Sequence, residues 1–234
     1  MKVIILAGGL GTRISEETEN RPKPMVLLDD KPIIWHLMGI YAQQGFCDFV
    51  IATGYKSEVI HDWVAALKTD WNIQAIDTGL ETQTAGRILQ ITERFDDPQF
   101  MVTYGDGLGN VNLKNLLSCH NKYGRTATVT SVRPPSRFGV IQSNEGLVTH
   151  FGEKNQVDSG WINGGFFVIQ KEYEKYVQST SESFEANVLP RLVNDVQLTT
   201  FQHEGFWQPM DTLREKNELS LFARNPNSYW LKGL

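Results

Sequence analysis

Val3-Ile4-Ile5-Leu6-Ala7 is an unbroken apolar run, and Gly8, Gly9 and Gly11 follow it at once. A short segment that is apolar at every position reads as a strand buried on both faces of a parallel sheet. Glycines directly behind such a strand let backbone N–H groups close on an anion with no Cβ in the way. Arg13 and Lys23 add cations able to reach phosphate oxygens. The segment therefore reads as a loop for a polyphosphate. It is not a P-loop, because G-x-x-x-x-G-K-[ST] is absent, and the dinucleotide pattern G-x-G-x-x-G lacks its third glycine. Taken alone, a glycine turn with solvated cations also accounts for it.

The rest of the chain sets the context. Apolar runs at Phe49–Thr53, Ile73–Ile76, Phe100–Tyr104 and Ala127–Val132 alternate with helical patterns at Pro32–Gln44, Ser57–Leu67, Gly86–Phe95 and Leu113–Tyr123. This alternation predicts an α/β fold with a Rossmann-like, doubly wound mixed sheet. After Pro134-Pro135 the pattern changes. Gly139–Gln142 and Leu147–Phe151 read as a hairpin across Asn144-Glu145-Gly146, Gly164–Ile169 as a strand, Phe184–Asn194 as a helix, Leu198–His203 as a strand and Asp211–Arg224 as a closing helix. The expected organisation is a single domain over 1–234, with a nucleotide-binding half at 1–133 and a sugar-binding and capping half at 134–234.

A chain of 234 residues has ample length for one sizeable core. Its net charge of −5 argues against a nucleic-acid partner, which needs a basic surface. No apolar run reaches the ~18 residues of a membrane helix, so no membrane partner is expected. The start of the chain has no secretory pattern, which makes the cytoplasm the expected compartment. Cys47 and Cys119 are too few and too far apart for a disulfide or zinc framework, and the histidines show no ligand spacing.

Asp106 closes an apolar strand between two glycines, and carboxylates at such strand ends face the crevice where ligands bind. Asp211 stands where Trp207-Gln208-Pro209-Met210 meets the last helix. Each has a plain structural reading, a turn residue for Asp106 and a helix N-cap for Asp211. Together with the polyphosphate loop they suggest a Mg²⁺ site, since Mg²⁺ takes a few carboxylates plus phosphate and water oxygens. Arg87 begins a helix, against the dipole, which suits an anion ligand. Glu153-Lys154 ends a strand and Asn163-Gly164 begins one; Asn and Glu suit hydroxyl recognition and Lys a phosphate.

These strings resemble the sugar-1-phosphate nucleotidyltransferases. The general likeness is Gly8-Gly9-x-Gly11-Thr12-Arg13 with Pro22-Lys23-Pro24. A narrower likeness, to the glucose-1-phosphate cytidylyltransferases, lies in Thr103-Tyr104-Gly105-Asp106-Gly107, Ile162-Asn163-Gly164-Gly165-Phe166-Phe167 and Gly205-Phe206-Trp207-Gln208-Pro209-Met210-Asp211-Thr212-Leu213-Arg214.

The resemblance implies cytidylyl transfer from CTP to a sugar 1-phosphate, with Leu6, Ala7, Gly8, Gly9, Leu10, Gly11, Thr12 and Arg13 around the nucleotide. Lys23, Thr82 and Arg87 would complete the phosphate contacts, and Gly105 would pack on the nucleoside. Glu153, Lys154, Asn163 and Gly164 would hold the sugar phosphate, and Asp106 and Asp211 would bind Mg²⁺. Arg13, Lys23, Asp106 and Asp211 are the expected catalytic set. A pocket of backbone carbonyls near Gly8 would accept from the cytosine amino group. The resemblance also implies a homo-oligomer, although the stretch between Tyr55 and Asp77 is shorter than the cytidylyltransferase pattern. Another nucleotide, another acceptor such as a heptose 1-phosphate, or a nucleotide-sensing subunit without turnover are the alternatives.

Overall fold

The computed structural model describes residues 1–134, 139–144, 147–153, 160–225 and 230, and over 139–144 and 150–153 it describes the backbone. The opening apolar run is strand β1 (Lys2–Ala7). After a 3₁₀ turn and the short α1 (Ser15–Thr18), β2 (Leu27–Leu28) and β3 (Lys31–Pro32) form a small hairpin. Then follow α2 (Ile33–Ala42), β4 (Asp48–Thr53), α3 (Ser57–Ala66), β5 (Asn72–Asp77), α4 (Thr84–Thr92), β6 (Gln99–Tyr104), β7 (Gly107–Gly109), α5 (Leu113–Tyr123) and β8 (Ala127–Val132). The later part contributes β9 (Gly139–Asn144), β10 (Leu147–Glu153), β11 (Ile162–Gln170), α6 (Leu189–Asn194), β12 (Leu198–His203), β13 (Trp207–Pro209) and α7 (Leu213–Ala223).

The central sheet has seven strands in the order β12-β8-β11-β6-β1-β4-β5. β1, β4, β5 and β6 pair in parallel, as do β8 and β12, while β11 runs antiparallel to both its neighbours. This is the expected doubly wound mixed sheet. Along β1 the side chains alternate between two cores. Val3, Ile5 and Ala7 join Leu37, Tyr41 and Phe166 on one face, and Ile4 and Leu6 join Ile88, Phe100 and Phe184 on the other. Burial on both faces explains why the run is apolar at every position.

The predicted helix over 184–194 divides into a π-helical turn at Phe184–Val188 followed by α6, with Pro190 in the first turn of α6. α4 begins two residues earlier than Gly86. Its first N–H groups find acceptors outside the helix, with Ala85 donating to the Glu182 carbonyl and Gln83 to that of Thr180. The β7–β13 ribbon was not foreseen, because its strands are three residues each. Among the described residues no helix is long and apolar enough to cross a membrane.

Past the end of α6 the chain turns through Val196 at φ +56°. The Val196 N–H donates to the Val193 carbonyl and the Gln197 N–H to that of Leu192, the closing pattern in which glycine is favoured. A β-branched side chain in the left-handed region is strained, and Val196 is 67% exposed, so packing gives little in return. Val196→Gly is expected to stabilise the fold by about 1 kcal/mol, a rise of about 2–4 °C in thermal midpoint. A lower midpoint would show that packing outweighs the strain.

Candidate active site

The strand order reverses between β1 and β6, and at such a switch point the loops leaving the carboxyl ends part and open a crevice. Here those loops are Gly8–Thr12 and Gly105–Gly107. They line a cleft of about 1450 Å³ together with Leu80–Thr84, Gly164, Gly165, Glu185 and Trp207.

The glycine loop is held from beneath. The Arg87 guanidinium, 4% exposed, donates through Nη1 to the Thr53 carbonyl at 2.8 Å and Thr78 Oγ1 at 2.6 Å. Through Nη2 it donates to the carbonyls of Gly8 and Leu80, both at 3.2 Å. A Cβ at Gly8 would stand 2.2 Å from the Arg87 guanidinium carbon, which is why the loop needs glycine there. Arg87 thus supports the glycine loop, and its contact with a ligand anion stands as a proposal. It borders the cleft, with four of its five N–H donors on protein oxygens of Gly8, Thr53, Thr78 and Leu80. The Gly8 carbonyl also accepts from the Tyr55 N–H at 3.3 Å.

The two carboxylates are brought together by the small ribbon. β7 follows Asp106, β13 precedes Asp211, and antiparallel pairing of Gly107 with Pro209 sets the two ends side by side. The Met210 N–H donates to the Asp106 carbonyl at 2.9 Å and closes the ribbon. Asp211 is not the helix cap. Thr212 takes that role in a capping box with Glu215, whose carboxylate also accepts the Asp211 N–H at 2.7 Å. That leaves the Asp211 side chain free to face the cleft.

Both carboxylates converge on Lys23. Its Nζ lies 2.6 Å from Asp106 Oδ2 and 2.7 Å from Asp211 Oδ1, and Arg13 Nη1 lies 2.9 Å from Asp211 Oδ2. Lys23 is 11% exposed and Arg13 75%, so the lysine is the floor of the site and the arginine its rim. Burial pulls the Lys23 ammonium toward neutrality, but Asp106 and then Asp211 outweigh it and hold its pKa above the ordinary lysine value. Burial would raise the Asp211 carboxyl, yet the hydrogen bond and charge of Lys23, with Arg13 behind them, keep it below the usual carboxylate range. The result is two cations and two carboxylates in one contact network, facing the glycine loop.

Leu6, Ala7, Gly8, Gly9, Leu10, Gly11, Thr12, Thr82 and Gly105 all border the cleft, as does Gly164. Thr82 Oγ1 donates to the Thr78 carbonyl. Asn163 is exposed beside Gly164, and its amide reaches the Tyr104 hydroxyl at 3.0 Å. Glu153 ends β10, where the backbone alone is described, and Lys154 lies outside the described residues. Sequence reasoning assigned no role to Tyr104, Glu185 or Trp207. Trp207 Nε1 donates to the Gly164 carbonyl at 2.8 Å and joins the ribbon to β11, a contact that no local pattern announces.

Comparison with known proteins agrees with this geometry. The sequence profile of the nucleotidyl transferase family matches residues 2–226. Glucose-1-phosphate cytidylyltransferase of Salmonella typhimurium is 40% identical over 239 residues, covering 92% of this chain and 93% of that protein. The probable glucose-1-phosphate cytidylyltransferase of Bacillus subtilis is 37% identical over 252 residues, covering 98% and 99%. The crystal structure of HddC from Yersinia pseudotuberculosis superposes with a TM-score of 0.77 at 22% identity, over 95% of this chain and 99% of that one, and so shares the fold. A cleft at the switch point, a glycine loop and a converged pair of carboxylates thus stand on a chain that matches over nearly its whole length, and this chain belongs to the nucleotidyl transferase family.

Proposed function

We propose that the protein transfers a cytidylyl group from CTP to glucose 1-phosphate, giving CDP-glucose and pyrophosphate. The observation that carries this reading is the convergence of Asp106 and Asp211 on one cationic point opposite the glycine loop. The choice of CTP and glucose 1-phosphate rests on the relatives named above.

The donor set suits Mg²⁺. Two carboxylates already aim at a point occupied by an ammonium group, and hard oxygens are what this ion takes. Among the described residues no cluster of three His, Cys, Asp or Glu side chains forms, so phosphate and water oxygens would complete the shell. When bound, the ion neutralises charge on the polyphosphate.

The chain's own residues do the rest. The Gly8–Thr12 loop, held from below by Arg87, offers backbone N–H groups to the triphosphate at the switch point. Lys23 and Arg13 are cations within reach of the same region and offset negative charge as the α-phosphorus is attacked. The acceptor is a phosphate monoester and already anionic, so its oxygen attacks without a general base. The pyrophosphate leaves in line on the opposite side. Catalysis then consists of positioning and charge neutralisation, which fits a cleft whose described lining holds no histidine.

The reading is tested by pyrophosphate release with glucose 1-phosphate and each of CTP, UTP, dTTP and GTP. CTP is expected to exceed each of the others by at least tenfold in kcat/KM. Equal or faster release with another nucleotide overturns the base assignment. Release with CTP only when another sugar phosphate is supplied overturns the acceptor.

A further inference from the structure

We propose that Glu185 and Tyr104 are positioning residues that fix which way the Asn163 carboxamide faces the acceptor sugar. The acceptor sugar is the one proposed above, and Asn163 stands between Ile162 and Gly164, which line the cleft. The orientation itself follows from the hydrogen bonds.

Glu185 sits in the π-helical turn, a departure from regular helix often found at functional sites. Its carboxylate accepts from three hydroxyls. Tyr104 donates to Oε1 at 2.6 Å, and Thr84 and Ser183 donate to Oε2 at 2.7 and 2.8 Å. Thr84 is itself held, because its oxygen accepts the Phe184 N–H at 2.7 Å. A carboxylate has no proton to give, so the Tyr104 hydroxyl must spend its proton on Glu185. Only lone pairs then remain on the phenol oxygen.

Those lone pairs decide the rotamer of Asn163. Its Nδ2 donates to the phenol oxygen at 3.0 Å, and its Oδ1 accepts the Gly165 N–H at 2.9 Å. The flipped amide would set Oδ1 against an oxygen without a proton and Nδ2 against an N–H, losing both bonds. The Tyr104 ring is also fixed in place. Gly165 has φ +89°, and a Cβ there would lie 2.6 Å from the ring, so the backbone of β11 packs directly on the tyrosine. The chain Glu185, Tyr104, Asn163 therefore runs in one direction. It leaves the exposed carboxamide with one N–H and one lone pair, each in a defined place beside the cleft-lining Ile162 and Gly164. A sugar hydroxyl can meet both at once, as acceptor and as donor. Burial keeps the phenol protonated, with the Glu185 charge acting the same way.

The test combines kinetics with a direct view of the amide. Tyr104→Phe keeps the ring and removes the phenol oxygen, and Glu185→Gln keeps the shape and lets the side chain donate. Both are expected to raise KM for glucose 1-phosphate about tenfold, with KM for CTP and the thermal midpoint close to wild type. With a set of monodeoxyglucose 1-phosphates, the deoxy position that costs wild type most is expected to cost Tyr104→Phe little. The side-chain amide resonance of Asn163 is expected to shift and to exchange faster in both variants. If the wild type turns over no glucose 1-phosphate, the acceptor reading fails, and the amide resonance alone judges the positioning. An unshifted Asn163 resonance in Tyr104→Phe overturns the proposal, as does an unchanged KM for the sugar phosphate in an enzyme that uses it.

Discussion

Lys23→Ala is expected to lower kcat by about three orders of magnitude while the protein still folds. Among the described residues Lys23 is the one cation in contact with both carboxylates. Removing a single preorganised charge that faces developing negative charge typically costs 10²–10³ in kcat, and here the loss also leaves Asp106 and Asp211 facing each other without their shared partner. Asp106→Asn and Asp211→Asn are expected to fall by similar factors, because each removes half of the pair that meets at that point. Folding survives since none of the three is packed in either core. Steady-state pyrophosphate release alongside a thermal melt separates the two effects. Activity within tenfold of wild type in a folded Lys23→Ala protein would remove the lysine from catalysis. Normal specific activity in a small folded fraction would make it a structural residue.

Arg87→Leu is expected to act the other way round, as a stability mutation first. The guanidinium makes four hydrogen bonds to protein oxygens at 4% exposure, and leucine makes none. Buried acceptors left without partners cost about 1–3 kcal/mol each, and some of these remain paired through other donors. A net loss of about 3–5 kcal/mol is expected, which is about 6–20 °C in thermal midpoint for a chain of this length. The Gly8 loop loses its support at the same time, so KM for the nucleotide is expected to rise in whatever remains folded. A midpoint within 2 °C of wild type, paired with a large rise in KM, would restore the ligand-binding role that the sequence suggested for Arg87.

Arg87 shows what a sequence carries and what it does not. Val3–Ala7 and the glycines behind it were legible because burial on two faces and closeness to an anion each leave a local mark. The pairing of Asp106 with Asp211 was legible only as a suspicion, since what joins them is a ribbon of three-residue strands, Gly107–Gly109 and Trp207–Pro209, far apart in the chain. The support that Arg87 gives the glycine loop was not legible, because the sequence gives its position at a helix start but not the carbonyls that await it from three other segments. Asp211 was ambiguous for a similar reason: an aspartate before a helix looks like a cap, and only the Thr212–Glu215 box reveals that the cap is one residue further on. Glu185 left no mark, because a carboxylate that gathers three hydroxyls from three segments has no spacing to recognise.

The place of β11 in the sheet has a mechanical consequence. The glycine loop leaves β1, Asp106 follows β6, and Asn163 and Gly164 lie on β11, and these are three consecutive strands joined by main-chain bonds. The three strands beneath these positions are thus one plate, not two jaws. Swinging β11 away from β1 would tear its ladder with β6, which runs from Phe167 opposite Val102 to Gln170 opposite Gln99. The spacing between the strand ends that carry the glycine loop and Asp106 is accordingly set when the chain folds, and any adjustment to a substrate falls to the side chains and loops above that floor.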